Sequence, residues 1–443
     1  MFFSTLFLAG TLSVAADIQP KTDDDIKDDQ AAEIQEDPQH SSHPVSPKRA
    51  RPAPHKGKDL PPPPPRHPVV IDDPLKMVDD LLTSIRNEWL KPINLTFNPS
   101  AGVTYQHATK VRDGYPHGRS YLWYGWSGHW TVWDDQEGLG QVVYNATGNI
   151  GLGASKDPYM GSAVGDPDYM NNILVANRIG LYMLYWQQSM FEHKVRLRVG
   201  KFEDQVFFDN NTIAYDPVSG FLAENFNEQI VMPFPSHAFG VNLEWDAVED
   251  LTLRVGTLNS ENPGNNSGFE GLAWNHLFTA AEADLTVRLP IGGKDRVGHW
   301  RLTGWYNTMD DQFGPGTSEG VGICFNMDQK ICDTASVFMR LGWGENQATR
   351  SNFAVSTGFA VDRPFGLDGH HTGIAVEYAK ITPFGRSQVS LPPIPGEQFM
   401  AEWYWRVEMT NTFDIGPVVQ VVRDVTAGID TSVIWGVRSS WSF

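Results

Sequence analysis

The sequence contains no apolar run that approaches the roughly 20 residues a transmembrane helix needs, so any membrane-spanning part would have to be built from strands. Cysteine is scarce as well, with only 2 in 443 residues, too few to indicate a redox compartment. Basic residues are outnumbered by acidic ones, and the formal net charge of -19 argues against nucleic acid as a partner. Aromatic residues are abundant by contrast: 15 Trp and 13 Tyr could supply aromatic belts at two membrane interfaces.

The last stretch, TSVIWGVRSSWSF (431–443), alternates apolar and polar residues with the period of a strand. One face carries Trp435, Val437, Trp441 and Phe443, whereas the other face is mostly polar or small. A soluble sheet could produce the same alternation, but an outer-membrane barrel must close its last strand against its first. A terminal Phe on an alternating strand also resembles the assembly signal of bacterial outer-membrane barrels.

Sixteen segments with this kind of alternation follow one another from Ile93 onward. They lie at about 93–108, 119–133, 138–153, 173–188, 193–204, 236–247, 250–258, 275–289, 297–308, 319–325, 333–344, 352–360, 370–381, 397–410, 415–423 and 431–443. The long connections, 154–172, 205–235, 259–274 and 382–396, all follow odd-numbered segments. Short periplasmic turns that alternate with longer external loops predict an all-β fold, a closed antiparallel transmembrane β-barrel of about 16 strands. The alternative is an aromatic-rich soluble all-β enzyme.

The residues before the barrel divide into three predicted segments. Residues 1–16 are apolar and end in small residues, which indicates a signal peptide, although the usual basic start is missing. Residues 17–71 are acidic and Pro-rich, which predicts a disordered periplasmic linker, either a passive tether or a spacer that contacts peptidoglycan. Residues 72–91 predict an amphipathic helix that packs against the barrel base or helps a trimer to associate. Residues 92–443 form the predicted barrel domain.

The alternation also assigns side chains to the lumen or to lipid. A charge on the lipid face costs about 2–4 kcal/mol near the bilayer midplane, so arginines on the polar face of each strand are predicted to point inward. These are Arg178, Arg196, Arg198, Arg254, Arg288, Arg340, Arg406 and Arg438. The same face carries the acidic residues Asp284, Glu377, Glu402 and Glu408 and the aromatic residues Tyr182, Trp186, Trp305 and Tyr404. Paired charges and aromatic faces suit a neutral, hydroxyl-rich solute better than an anion, although each arginine could simply be a wall residue paired with an acid.

The longest predicted external loop, 205–235, is the best candidate for a constriction. It contains Phe207, Phe208, Phe221 and Phe226 to pack against a wall. It also contains four acidic residues that could face the arginines: Asp209, Asp216, Glu224 and Glu228. A loop that merely folds over the rim would have the same composition. Both interpretations therefore stay open at this point.

Few other residues indicate a disulfide, a metal site or a catalytic site. Cys324 and Cys332 flank FNMDQKI in a predicted periplasmic turn, so we expect a disulfide there rather than a metal site, given an oxidising compartment. The sequence has no nucleophile elbow, Walker loop or HExxH motif, and nothing in it requires a cofactor. An outer-membrane β-barrel hydrolase nevertheless remains an alternative from another class.

Four stretches of the chain resemble the OprB-like family of carbohydrate-selective porins. They are WTVWDDQEGLG (130–140), LYWQQSMFEHKVRLRVGK (184–201), RVGKFEDQVFFDNN (198–211) and GFLAENFNEQIVMPFPSHAFGVNLEW (220–245). The resemblance implies a sixteen-stranded barrel in the bacterial outer membrane, often a homotrimer, that passes sugars through an arginine-rich lumen narrowed by inward-folded loops. Within the matched stretches it supports Arg196, Arg198 and Lys201 as pore-lining residues. An anion or organic-acid porin is the alternative among channels.

Overall fold

A computed structural model describes most of the chain beyond the leader. The described residues are 69, 73–153, 160–173, 179–235, 237–260, 273, 276–308, 318–388, 391, 395–424 and 429–443. The predicted signal peptide, nearly all of the predicted linker and Arg178 lie outside them. None of the helices in these ranges is long and apolar enough to cross a membrane.

The structure consists of sixteen antiparallel strands, which confirms the predicted fold. The strands are β1 (Asn98–Ala108), β2 (Gly118–Asp134), β3 (Leu139–Gly151), β4 (Gly180–Met190), β5 (Val195–Phe202), β6 (Ala238–Val248), β7 (Leu251–Asn259), β8 (Leu277–Ile291), β9 (Lys294–Asn307), β10 (Gly320–Lys330), β11 (Ala335–Gly344), β12 (Ser351–Asp362), β13 (His370–Ile381), β14 (Gly396–Glu408), β15 (Phe413–Asp424) and β16 (Ile429–Ser442). Connections after even-numbered strands have at most seven residues, as in 363–369. We call that end of the barrel the turn end and the opposite end the loop end.

The first and last strands close the ring. β1 pairs with β2 on one side and with β16 on the other, so that Thr104 lies beside both Tyr121 and Arg438. The strands approach closely at this seam, because a Cβ atom on Gly102 would lie only 2.2 Å from the carbonyl oxygen of Ser439. A closed ring leaves no unpaired strand edge, which is what a membrane requires of a sheet.

Large aromatic residues point outward at both ends of the barrel. Trp130, Trp133 and Trp245 are exposed near the turn end, and Tyr306, Trp343 and Trp435 are exposed near the loop end. Tyr105 lies 5.6 Å from Trp435, measured between ring centroids. Two such belts match the two interfaces of a bilayer.

One residue of the predicted inward set points the other way. Between β3 and β4 the register shifts, since Asn145 pairs with Met183 but Ala146 pairs with Leu181. Tyr182 is therefore an extra residue, a β-bulge that reverses the alternation. Tyr182 is buried as predicted, but Trp186 pairs with Val199 on the outward face, so the inward prediction for Trp186 is wrong.

A short helix precedes the barrel, as predicted. Helix α1 (Lys76–Ile85) continues into a π-helical turn (Arg86–Leu90) and a 3₁₀ turn (Lys91–Ile93). Arg86 attaches it to the turn end of the seam by donating hydrogen bonds to the carbonyl oxygens of Phe97 (2.9 Å) and Phe443 (2.5 Å). Trp89 in the π-helical turn is 71% exposed.

Candidate functional site: two inserted loops and a charged wall

The connection between β5 and β6 folds into the barrel, and we call its residues 203–235 the long inserted loop. Its backbone N–H groups at Leu222 and Ala223 donate to the carboxylate of Glu402 on β14, at 2.5 and 3.0 Å. Arg438 on β16 donates to the carbonyl oxygen of Pro217 at 2.6 Å. β6 and β14 are eight strands apart in a ring of sixteen, so the loop reaches the opposite wall.

Side chains of the long inserted loop form a buried apolar cluster within the barrel. Phe221 and Phe226 are fully buried, and Phe221 packs edge-on against Tyr404 of β14, with ring centroids 5.1 Å apart. The loop also contains a one-turn helix, Glu224–Asn227. Burial of aromatic rings against the wall fixes the loop in one position rather than leaving it over the rim.

A second connection, between β3 and β4, also folds inward. Its described part, 160–173, is here called the short inserted loop, and it contains helix α2 (Met160–Val164). Met160, Ala163, Val164 and Met170 are buried in the same cluster as Phe221. The sequence analysis missed this loop as a site element, and the only available signals were its length and the apolar stretch MGSAV.

The two inserted loops bind each other through polar groups. The backbone N–H of Tyr169 donates to Glu224 at 2.7 Å, and the Asn172 amide donates to Glu228 at 2.6 Å. Glu224 and Glu228 of the long inserted loop therefore contact the short inserted loop rather than an arginine on a barrel strand. Burial and the neighbouring carboxylates of Glu224 and Glu203 raise the pKa of Glu228 well above its usual value.

The other two predicted loop acids differ from each other. Asp209 forms an ion pair with Arg340 of β11 at 3.0 Å, and burial raises the pKa of Asp209, an effect that the guanidinium partly offsets. Asp216 instead stabilises its own turn by accepting from the N–H of Val218 and from the hydroxyl of Ser219. Of the four loop acids, Asp209 is thus the one that pairs with a predicted wall arginine.

Three predicted lumen arginines share carboxylates along β5 to β8. Arg196 donates to Glu244 at 2.7 Å, Arg198 lies 3.5 Å from the same carboxylate, and Arg254 donates to it at 2.9 Å. Arg254 also contacts Glu282 and Asp284 of β8. All three arginines are almost fully buried. Their inward orientation agrees with the alternation, and each is paired with an acid.

The network continues through an arginine that the sequence analysis did not name. Arg301 on β9 lies 3.4 Å from Asp284 and 2.7 Å from Asp328 on β10. Trp300 and Leu302 flank it as outward neighbours, so the same alternation would have found it. We call the chain of ion pairs from Arg196 to Asp328 the charged wall.

Two of the predicted pore-lining residues hold the long inserted loop in place. Arg340 donates to the carbonyl oxygens of Ala214 and Phe226, each at 2.7 Å, in addition to its ion pair with Asp209. Glu377 on β13 accepts a hydrogen bond from Asn225 at 3.0 Å. The described side-chain hydrogen bonds of Arg340 and Glu377 are therefore with the loop.

Three of the predicted pore-lining residues do not simply line the lumen, and a fourth is not described. Trp305 is buried against Phe278, with ring centroids 6.4 Å apart. Lys201 is buried, but its register partners are outward-facing residues. Arg288 is at the turn end, where its side chain is 44% exposed and pairs with Asp250. Arg178 lies outside the described residues.

The predicted disulfide is wrong, because both cysteines are free. β10 extends to Lys330, five residues beyond the predicted end of this strand. An extended strand rises about 3.4 Å per residue, which moves Cys332 far from Cys324. Cys324 is buried within the barrel wall, whereas Cys332 is exposed in the turn.

Comparison with known families identifies the chain. The model of the family described as "Carbohydrate-selective porin, OprB family" matches residues 138–443. The chain belongs to this family. Membership in the OprB family, together with the closed barrel, supports carbohydrate porin function in the bacterial outer membrane and a channel rather than an enzyme.

Solved structures show the same fold at low sequence identity. The high-pH structure of Pseudomonas putida OprB is 15% identical, with a TM-score of 0.65 over 82% of this chain and 97% of that chain. A mutant of the Rh. blastica porin is 11% identical, with a TM-score of 0.50 over 79% of this chain and all of that chain. No curated protein matches the sequence. Similarity at this level of identity establishes the barrel fold alone.

Proposed function

We propose that this barrel lets mono- or oligosaccharides diffuse through a lumen bordered by the charged wall and narrowed by the two inserted loops. The observation that carries the proposal is the path of the long inserted loop, which starts at β5 and hydrogen-bonds to β14 and β16 on the opposite wall. A loop that crosses the interior must divide the space available to a solute. In this arrangement, the turn end faces the periplasm and the loop end faces outward.

The charge balance of the wall favours a neutral solute over an anion. Arg196, Arg198, Arg254 and Arg301 are matched by the carboxylates of Glu244, Glu282, Asp284 and Asp328. An anion-selective pore needs an excess of positive groups, whereas this wall is almost neutral. These four arginines are buried and each is paired with an acid, so they present no unpaired positive charge that would attract an anion.

Planar-bilayer conductance of the purified protein tests the proposal. We expect weak ion selectivity in a salt gradient and a current that falls as mono- or disaccharides are added. A strong anion preference without any effect of sugar would instead indicate an anion or organic-acid porin. Absence of channels together with turnover of lipid or glycan would indicate an outer-membrane hydrolase.

Three further features belong to this proposal. Residues 1–16 would direct export, residues 17–71 would reach into the periplasm and contact peptidoglycan, and three copies would associate in the membrane. Sedimentation of the detergent-solubilised protein, full-length and without residues 17–68, tests the last two by its mass and by its binding to isolated peptidoglycan.

A further inference from the structure

A third connection brings one arginine to the junction of the two inserted loops. Arg350 ends the short connection between β11 and β12, which spans 345–350. Its carbonyl oxygen accepts hydrogen bonds from the N–H and the hydroxyl of Thr382, each at 3.0 Å. The neighbouring Thr349 hydroxyl donates to the carbonyl of Val231 in the long inserted loop at 2.9 Å. The backbone around Arg350 is therefore fixed on both sides.

The guanidinium of Arg350 contacts both inserted loops at once. One terminal nitrogen, Nη2, donates to Glu224 of the long inserted loop at 2.9 Å. The other, Nη1, donates to the carbonyl oxygen of Pro167 at 3.0 Å and lies 3.3 Å from the Asp168 carboxylate, both in the short inserted loop. Both carboxylates are buried, whereas Arg350 keeps 22% of its side chain exposed. The fork of a guanidinium is suited to this bridging, and a single ammonium is not.

We propose that Arg350 is a positioning residue that sets the separation of the two inserted loops, and through it the largest sugar the pore admits. The inference rests on the proposed carbohydrate pore. Without the guanidinium, Asp168 and Glu224 would lose the cation that bridges the two loops, and at a pH where both carboxylates are ionised their repulsion would separate the loops. The tertiary contacts that hold each loop to the wall involve other residues, so the barrel itself would persist.

The test compares the variants Arg350→Gln and Arg350→Lys with wild type in planar bilayers at alkaline pH, where both carboxylates are ionised, using mono-, di- and trisaccharides. We expect Arg350→Gln to increase single-channel conductance and to reduce several-fold the discrimination between mono- and trisaccharides. Arg350→Lys should be intermediate, because it keeps the charge but loses the fork. The matched control is Arg423→Gln, which removes an arginine that is 58% exposed at the loop end and whose ion pair with Asp430 is long, at 3.8 Å.

A triple variant distinguishes a change in the separation of the two inserted loops from misfolding of the barrel. Adding Asp168→Asn and Glu224→Gln to Arg350→Gln removes the repulsion and should restore much of the size discrimination. Unchanged discrimination in Arg350→Gln, with intact barrels by heat-modifiable gel mobility, would overturn the inference. Failure of the triple variant to regain discrimination would overturn it as well. If wild type itself showed no sugar-dependent current, the proposed function would fail instead.

Discussion

Arg254 shows how the charged wall is stabilised at the level of single residues. It contacts Glu244, Glu282 and Asp284, three carboxylates from the strands on either side of it. A charge taken out of water is tolerated only when opposite charges and hydrogen bonds replace the lost solvation. The wall arginines are thus held by their neighbours, and their first role is to keep the buried acids compensated.

The contribution of this charge compensation to stability can be measured with the variant Arg254→Ala. Removing one partner of a buried ion pair costs about 3–5 kcal/mol, because the remaining charges are left uncompensated. We expect the variant to unfold at a clearly lower urea concentration than wild type in detergent. Arg288→Ala is the control, since this exposed arginine at the turn end pairs with the equally exposed Asp250. Equal midpoints for the two variants would contradict the assigned role of the wall.

At the level of elements, the long inserted loop is the part whose removal should change the pore most. Deleting residues 212–228 removes the segment that reaches Glu402 and Arg438 on the opposite wall. We expect higher conductance and weaker discrimination among sugars, because the segment no longer divides the lumen. Replacing the exposed turn 363–369 with a shorter one, at the other end of the barrel, controls for loop shortening in general. Unchanged conductance after the 212–228 deletion would exclude a constriction there.

The packing of the two inserted loops should also depend on pH. Burial, with a further contribution from Glu224, raises the pKa of Asp168 and of Glu203 to about 7. The packed loops therefore bind protons more tightly than solvated loops would, and their stability is complete at low pH and decreases as the pH rises through 7. Arg350 opposes the shift at Asp168, but the burial effect is larger.

We therefore expect proteases to cleave the inserted loops more slowly at about pH 5 than at about pH 8, after correction for protease activity. Current noise in bilayers should rise over the same interval. The double variant Asp168→Asn, Glu203→Gln should flatten both dependences. Faster cleavage at the lower pH would mean that the ion pair with Arg350, rather than burial, controls the packing.

The strands show which structural features can be predicted from the sequence. Alternation within a strand is local, and it predicted all sixteen strands and the inward orientation of Arg196, Arg198 and Arg254. Trp186 was misassigned because a single bulged residue, Tyr182, reverses the alternation and has no sequence signal of its own. The Cys324–Cys332 disulfide was mispredicted because the end of β10 was set too early.

The site was harder to predict than the fold because its contacts join distant parts of the chain. Arg350 meets Asp168 and Glu224 across three separate connections, and no periodicity relates these positions. The short inserted loop was overlooked for the same reason. Composition marked the long loop as able to pack against a wall, but only the structure shows which wall.

At the level of the whole molecule, closure depends on the seam between β1 and β16. A Cβ atom on Gly102 would lie 2.2 Å from the Ser439 carbonyl oxygen and 2.5 Å from the Trp123 ring, so a side chain there would push the first and last strands apart. We expect Gly102→Val to reduce strongly the yield of folded, heat-modifiable barrel. Gly304→Val is the matched control, since a Cβ atom at that position meets no atom within 4 Å. Similar yields of both variants would mean that the seam tolerates the extra bulk.

The anchoring of the long inserted loop on β14 and β16 has a consequence for the order of assembly. Its hydrogen bonds to Glu402 and Arg438 span 180 and 221 residues of the chain. The loop cannot bind these residues before the last strands have joined the sheet, and contacts so distant in sequence form slowly. A newly inserted barrel should therefore first be a wide pore that does not discriminate among sugars. The time until the current becomes sugar-dependent would measure how quickly the long inserted loop binds to β14 and β16.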